Sequence, residues 1–219
     1  MKTILVTGFE PFGPDSVNPS WEAVSRLPET TEHANIRVRK MPVEYDRVAV
    51  LLKQAIEEEK PDAVICVGQA GGRAAVTPEL VAINVKDASV PDNAGVSFSG
   101  EPVREDGPAA YFATIPVKAV AAAIRSVGVP AAVSYTAGAY VCNNIMYHLL
   151  YLLEHEYPGV QGGFIHIPFE CGQVLGRSSS TPSLPLSLIR EGLKAAVEET
   201  AKLLESGEGD RKEATGSTH

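Results

Sequence analysis

Tyr45-Asp-Arg-Val-Ala-Val-Leu-Leu-Lys-Gln-Ala-Ile-Glu-Glu-Glu59 is followed, after Lys60-Pro-Asp62, by Ala63-Val-Ile-Cys-Val67. In the first run Val48, Leu51, Leu52, Ala55 and Ile56 recur at the spacing that gathers them largely on one side of a helix. The second is short, apolar and rich in β-branched residues, as a buried strand requires. With the strand-like Ile36-Arg-Val-Arg39 ahead of it, the segment predicts strand, helix, strand. Working outward, Ile4-Leu-Val6, Ala131-Ala-Val-Ser134 and Gly163-Phe-Ile-His-Ile167 read as further strands. Helices are expected from Asn18 or Ser20 through Leu27, over Val117–Val127 behind Pro116 with Gly128 as the stop, over Asn143–Glu156, and from near Ser183 or Pro185 through Leu204. Strands separated by helices give an α/β fold with a mainly parallel sheet covered on both faces, in which sites form beyond the carboxyl ends of the strands.

The chain has 219 residues, 44% hydrophobic and 21% charged, which suits one well-buried core. Residues 1–205 read as a single catalytic domain, and the polar, Gly-containing stretch 206–219 as a disordered tail. Val90–Val103 is dense in turn residues and predicts a long loop or a small hairpin. A net charge of −8 without a basic block argues against nucleic acid or a membrane surface as partner. The apolar stretch of Met1-Lys-Thr-Ile-Leu-Val-Thr-Gly8 is too short for a signal peptide, and no run reaches membrane-spanning length, so a cytoplasmic protein is expected. Three cysteines, Cys66, Cys142 and Cys171, lack metal-site spacing and suit free thiols in a reducing compartment.

Cys142, in Ser134-Tyr-Thr-Ala-Gly-Ala-Tyr-Val-Cys-Asn-Asn144, stands where a strand-like run gives way to a helical pattern. A thiol at a helix N-terminus has its pKa drawn from about 8.5 toward neutrality by the dipole and the free N–H groups. His166 precedes Ile167-Pro168, where proline ends regular pairing and leaves the imidazole near the carboxyl edge of a strand. Glu79 follows Thr77-Pro78 after the glycine-rich turn Gly68-Gln-Ala-Gly-Gly-Arg73, at a loop-to-strand boundary. Each has an ordinary structural explanation: an inert buried thiol, a satisfied core histidine, a surface carboxylate. Together they offer a nucleophile, a base and an orienting acid. His148 and His155, seven apart on one predicted helix, read as a solvated face. The glycine-rich turn matches neither dinucleotide nor nucleotide phosphate-loop spacing.

Three segments, Gly68–Asn84, Ser134–Asn144 and Gly162–Pro168, together with Thr3-Ile-Leu-Val-Thr-Gly-Phe-Glu-Pro-Phe-Gly13, resemble those of the pyroglutamyl peptidase I family, cysteine exopeptidases that remove N-terminal pyroglutamate. The resemblance runs through the helical pattern ending near Leu204. It implies an open three-layer α/β/α sandwich with a twisted central sheet, related in architecture to purine nucleoside phosphorylases. It also implies a Glu79, Cys142, His166 triad, no metal or cofactor, peptides with N-terminal pyroglutamate as substrates, and a homotetramer or dimer. Phe9, Phe12, Asn18, Gln69, Val90, Tyr140 and Val141 correspond to the substrate-binding positions. A phosphorylase-like enzyme and a non-catalytic pyroglutamyl-peptide binder remain as alternatives. Three departures stand out: Leu80 where the family usually has a basic residue, Tyr140 where it usually has Phe, and Phe169-Glu-Cys-Gly-Gln173 in place of a proline-containing segment. Glu170, close to His166 in sequence, becomes a rival orienter only if the chain turns after Pro168, because four extended residues span about 13 Å.

Overall fold

The computed structural model describes residues 1–216. In chain order the elements are β1 (Lys2–Phe9), α1 (Pro19–Val24), β2 (Ala34–Met41), α2 (Tyr45–Glu59), β3 (Ala63–Gln69) and β4 (Thr77–Glu79). Short strands β5 (Val81–Ile83), β6 (Lys86–Asp87), β7 (Ser99–Glu101) and β8 (Ala110–Phe112) follow, then α3 (Val117–Ser126) and α4 (Val141–His155). The chain continues through β9 (Gln161–Ile167), β10 (Phe169–Glu170), a 3₁₀ turn at Cys171–Val174, β11 (Ser183–Leu184) and α5 (Leu186–Ser206).

The central sheet has the order β2-β1-β3-β9-β4. The first four strands are parallel and β4 closes the edge antiparallel to β9. Successive side chains point to opposite faces, so β3 and β9 feed two cores at once. Ile65, Val67, Ile165 and Ile167 pack against α1, α3 and α5. Val64, Cys66 and Phe164 pack against α2 and α4. This is the α/β architecture the alternation predicts, with a mixed, mostly parallel sheet.

The predicted strand Ala131–Ser134 forms only isolated bridges, Ala131 to Val76 and Ser134 to Glu79. Proline is the cause. Val76 N–H donates to Pro130 O, Ala132 N–H to Val76 O, Ser134 N–H to Pro78 O and Leu80 N–H to Ser134 O, a parallel ladder in all but one rung. The missing rung would need an N–H from Pro78, which has none. Helix α1 stops at Val24, with tight-turn bonds carrying the chain through Leu27, and Pro116 caps α3 from outside its first turn. The Val90–Val103 excursion carries β7, which pairs antiparallel with β6 just ahead of it. Through Gly216 the tail has no regular secondary structure, yet Asp210 accepts from the N–H groups of Lys118 (3.1 Å) and Ala119 (2.8 Å) at the start of α3. Lys118 Nζ donates to Glu213 O (2.6 Å). Residues 217–219 of the expected disordered tail lie outside the described residues.

Helix α4 begins two residues earlier than its pattern suggests, and buried asparagines pin its first turn. Asn143 accepts from Ile83 N–H (2.9 Å) and donates to Ile83 O (2.8 Å) and Val85 O (3.0 Å), so its amide acts as a strand partner for the backbone after β4. Asn144 donates to Tyr45 O (2.9 Å) and ties α4 to the start of α2. Replacing Asn143 by Ala removes three part-buried hydrogen bonds to backbone, each worth about 0.5–1.5 kcal/mol net. Asn143→Ala is therefore expected to lose about 2–4 kcal/mol of stability, measured as a fall in the urea midpoint.

Candidate active site

The carboxyl ends of β3 and β9 lie side by side, with Gly68 registered against His166. On the far side of β9, antiparallel β4 sets Thr77 opposite His166 and Glu79 opposite Phe164. Paired residues share a face, so Glu79, Phe164 and His166 all point toward the α2–α4 side. His166 Nδ1 lies 2.7 Å from Glu79 Oε1. Both side chains are out of water: Glu79 is 0% and His166 4% exposed. Arg73, from the glycine-rich turn, donates to the same carboxylate oxygen, to Thr77 Oγ1 and to Thr136 O. The basic partner absent at position 80 is thus supplied by Arg73. An ionised carboxylate only accepts, so a neutral His166 donates through Nδ1 and keeps its Nε2 lone pair free.

Cys142 occupies the first turn of α4, above the β3–β9 seam. Tyr140 is the N-cap and no side chain caps the turn. The first intrahelical bond runs from Asn144 N–H to Tyr140 O (3.0 Å), so the N–H groups of Val141, Cys142 and Asn143 have no acceptor within the helix. A Cβ on Gly68 would come within 2.9 Å of Cys142 Sγ and 2.7 Å of Phe164 Cζ. Only glycine leaves room for the thiol there, and that glycine is the strand partner of His166. Strand spacing of about 4.8 Å therefore separates the backbone beneath the thiol from the backbone carrying the imidazole.

The electrostatics correct one expectation. Burial pushes the Cys142 thiol up to about 12, the Glu79 charge adds to this, and Arg73 opposes it. A helix terminus stabilises an anion by at most about 2 kcal/mol, whereas desolvation shifts a buried group by as much as about 3–5 pKa units. Desolvation outweighs the helix terminus, and the pKa of the half-buried thiol rises instead of falling. Burial also holds His166 below its ordinary 6.5, with the Glu79 hydrogen bond and charge pulling it back up.

Beside the thiol, Phe9, Phe12, Asn18, Val43, Gln69, Tyr140, Val141 and Cys142 line one small cavity. The rings of Phe12 and Tyr140 face it with centroids 6.2 Å apart. The Tyr140 hydroxyl donates to Pro91 O (3.0 Å), which gives the extra oxygen a partner. Asn18 caps α1 by accepting from Ser20 N–H (3.0 Å) and donates to Glu10 O (2.9 Å), fixing the turn that follows Phe9 and carries Phe12. Val90, expected at this wall, is 53% exposed and absent from the lining. Instead its neighbour Pro91 reaches the site through a carbonyl. Val43 is an unforeseen lining residue whose only sequence signal is its place just past the carboxyl end of β2. A larger hollow between β8 and α4, lined by Tyr111, Phe112, Leu150 and Glu154, contains none of these groups.

Glu170 is not beside the imidazole: its carboxylate accepts from the Gln173 N–H and caps the 3₁₀ turn. Cys66 is buried and Cys171 exposed. His148 is half-buried rather than solvated, and burial drives its pKa down to about 4. His155 is exposed and stacks on Tyr151.

The pyroglutamyl peptidase family model matches residues 2–203. The chain belongs to that family. It is 51% identical over 216 residues to the pyrrolidone-carboxylate peptidase of Lactobacillus johnsonii, covering 99% of each chain. It is 46% identical to the Streptococcus pyogenes enzyme of the same name, again over 99% of both. Among solved structures, pyroglutamyl peptidase I of Bacillus amyloliquefaciens superposes with a TM-score of 0.92 at 44% identity, covering 96% of this chain and 100% of that one. The pyrrolidone carboxyl peptidase of Thermococcus litoralis gives 0.94 at 37% identity, covering 98% and 100%. Family members are cysteine-type omega-peptidases that remove N-terminal pyroglutamate. Membership displaces the phosphorylase alternative and agrees with the fold.

Two substitutions test the construction of the site. Gly68→Ala should displace the thiol or the Phe164 ring and lower kcat at least about tenfold, since small misplacements of a reacting group cost as much as about 100-fold. Arg73→Met leaves the buried Glu79 charge without its cation and is expected to lower stability by about 3–5 kcal/mol, read from thermal and urea unfolding.

Proposed function

We propose that the chain hydrolyses the amide bond after an N-terminal pyroglutamyl residue, with Cys142 as nucleophile, His166 as general base and acid, and Glu79 as orienter. The buried 2.7 Å contact between Glu79 and His166, one strand from the thiol above Gly68, carries this reading. The Cys142 proton passes to His166 Nε2 as Sγ attacks the scissile carbonyl carbon. The carbonyl oxygen gains the negative charge, for which the uncapped N–H groups at the start of α4 are suitable donors. Collapse of this adduct expels the peptide amine, which takes the proton from His166 and leaves a thioester. Water, activated by the same imidazole, then releases pyroglutamate and restores the thiol.

Neutral partners suit this sequence. A resting thiol–imidazole pair moves its proton as the carbonyl is attacked, while the Glu79 charge stabilises the imidazolium thus formed. The cavity beside Cys142 fits the substrate's chemistry. Pyroglutamate has a flat lactam and no charged α-amine, so aromatic walls at Phe9, Phe12 and Tyr140 with an amide at Gln69 serve it better than a carboxylate would. The same reading includes action without metal or cofactor, a cytoplasmic location and assembly as a homotetramer or dimer. Among the described residues no helix is long and apolar enough to cross a membrane.

A pyroglutamyl coumarylamide reporter tests the mechanism directly. Cys142→Ala should abolish its hydrolysis while keeping the fold, and Cys66→Ser should remain active; substantial turnover by purified Cys142→Ala would end the proposal. Glu79→Gln should lower kcat on the order of 100-fold or more and Glu170→Gln only slightly, whereas the reverse ranking would move the orienting role to Glu170. The pH profile carries a sign. His166 must be unprotonated to act as base and its pKa lies below 6.5, so the acidic limb of kcat/KM is expected below pH 6.5. Removing the Glu79 charge should shift that limb further down. Stability follows the same linkage: the unfolded imidazole protonates near 6.5 and the folded one lower, so stability falls as pH drops through that window.

A further inference from the structure

Gln69 ends β3 at the cavity wall, 9% exposed. An amide there can present either a donor or an acceptor to a bound ring, and the two choices select different ligands. Its neighbour across the loop is Gln173, in the segment that departs from the family pattern. Gln173 Oε1 accepts from the Glu170 backbone N–H at 3.1 Å. A backbone N–H only donates, which assigns that atom as the oxygen. The other end of the Gln173 amide meets Val17 O at 3.3 Å and Asp15 Oδ2 at 3.4 Å, groups that only accept. Gln173 Nε2 is therefore a donor on this side, and the Gln69 atom 2.8 Å from it must be Oε1. With Oε1 held against Gln173, the Nε2 hydrogens of Gln69 remain for the cavity.

Gln173 is itself fixed. Arg177 donates from Nε to Gln173 O (3.1 Å) and from Nη2 to both Asp15 oxygens (2.9 and 3.2 Å), while its guanidinium lies 4.3 Å from the Phe169 ring centre. The 3₁₀ turn after β10 thus clasps the loop between β1 and α1 behind Gln69.

We propose that Gln173 is a positioning residue that locks the Gln69 amide with its N–H donors toward the substrate ring, where they pair with the lactam carbonyl. This rests on the pyroglutamyl peptidase reading above and adds a basis for its selectivity. A pyroglutamyl ring brings an acceptor to the locked donor. A prolyl ring brings a methylene and leaves a largely buried N–H unpaired, the kind of mismatch that discriminates most strongly.

The test is a double-mutant cycle on the full chain, reading kcat/KM and its KM component with the pyroglutamyl coumarylamide. Gln173→Met keeps the length but frees Gln69 to rotate, and should lower kcat/KM roughly tenfold, mainly through KM. In a Gln69→Ala background the same change should cost less than about twofold, because its target is gone. Equal losses in both backgrounds, or no loss in the first, would overturn the proposal. Gln173→Glu offers Gln69 only acceptors and turns its carbonyl toward the ring, so this near-isostere should be worse than Met. A merely structural role predicts the opposite ranking. If the Glu variant does not fold, as judged by circular dichroism, the methionine cycle decides alone. Cleavage of the reporter by the unmodified chain tests the catalytic reading separately, so failure of the cycle in an active enzyme falls on Gln173 only.

Discussion

A carboxylate shut away from water must be neutralised by what surrounds it, and Glu79 sets that demand for the whole carboxyl edge of the sheet. Its Oε1 receives His166 from the neighbouring strand and Arg73 from the turn before it. Meeting the demand requires β4 to run antiparallel against β9, because that register places a carboxylate and an imidazole diagonally on one face. It also requires the glycine-rich turn to fold back far enough for Arg73 to reach over Thr77. An isolated buried charge is costly, and an ion pair lacking one partner is worse than none. Sheet edge, turn and imidazole therefore stand or fall together.

The same lack of water sets the direction of the Cys142 pKa. The helix terminus and Arg73 favour a thiolate, but burial and the Glu79 charge prevail. Catalytic cysteines are often pictured as preformed anions at helix termini. In the proposed mechanism the N-terminal N–H groups instead serve charge that develops on the substrate, since no side chain caps them.

Much of this was legible in the chain itself. Val48 to Ile56 and Ala63 to Val67 announce a helix and a strand because their spacing reflects local geometry alone. The proposed triad is within reach of the sequence because segment resemblance brings Glu79, Cys142 and His166 together. What the sequence hid depends on distant partners. Pro78 interrupts a ladder with Ala131–Ser134 that no local pattern reveals. Glu170 and Glu79 are chemically equivalent until the 3₁₀ turn engages one and β4 buries the other. Val43 and Val90 exchange places at the cavity wall because exposure depends on how the β6–β7 excursion packs. The direction of the thiol's pKa stays hidden for the same reason: a helix start can be read from a sequence, whereas the depth of burial cannot.

The cap on α3 comes from far along the chain. Pro116 has no side chain able to satisfy the first N–H groups of that helix, and Asp210 does so instead. During synthesis α3 must wait with these donors exposed until α5 and residue 210 have left the ribosome. The last turn of assembly is thus built into the order of translation. The family match ends at residue 203, so a boundary drawn there would cut away a group that finishes a helix begun some ninety residues earlier.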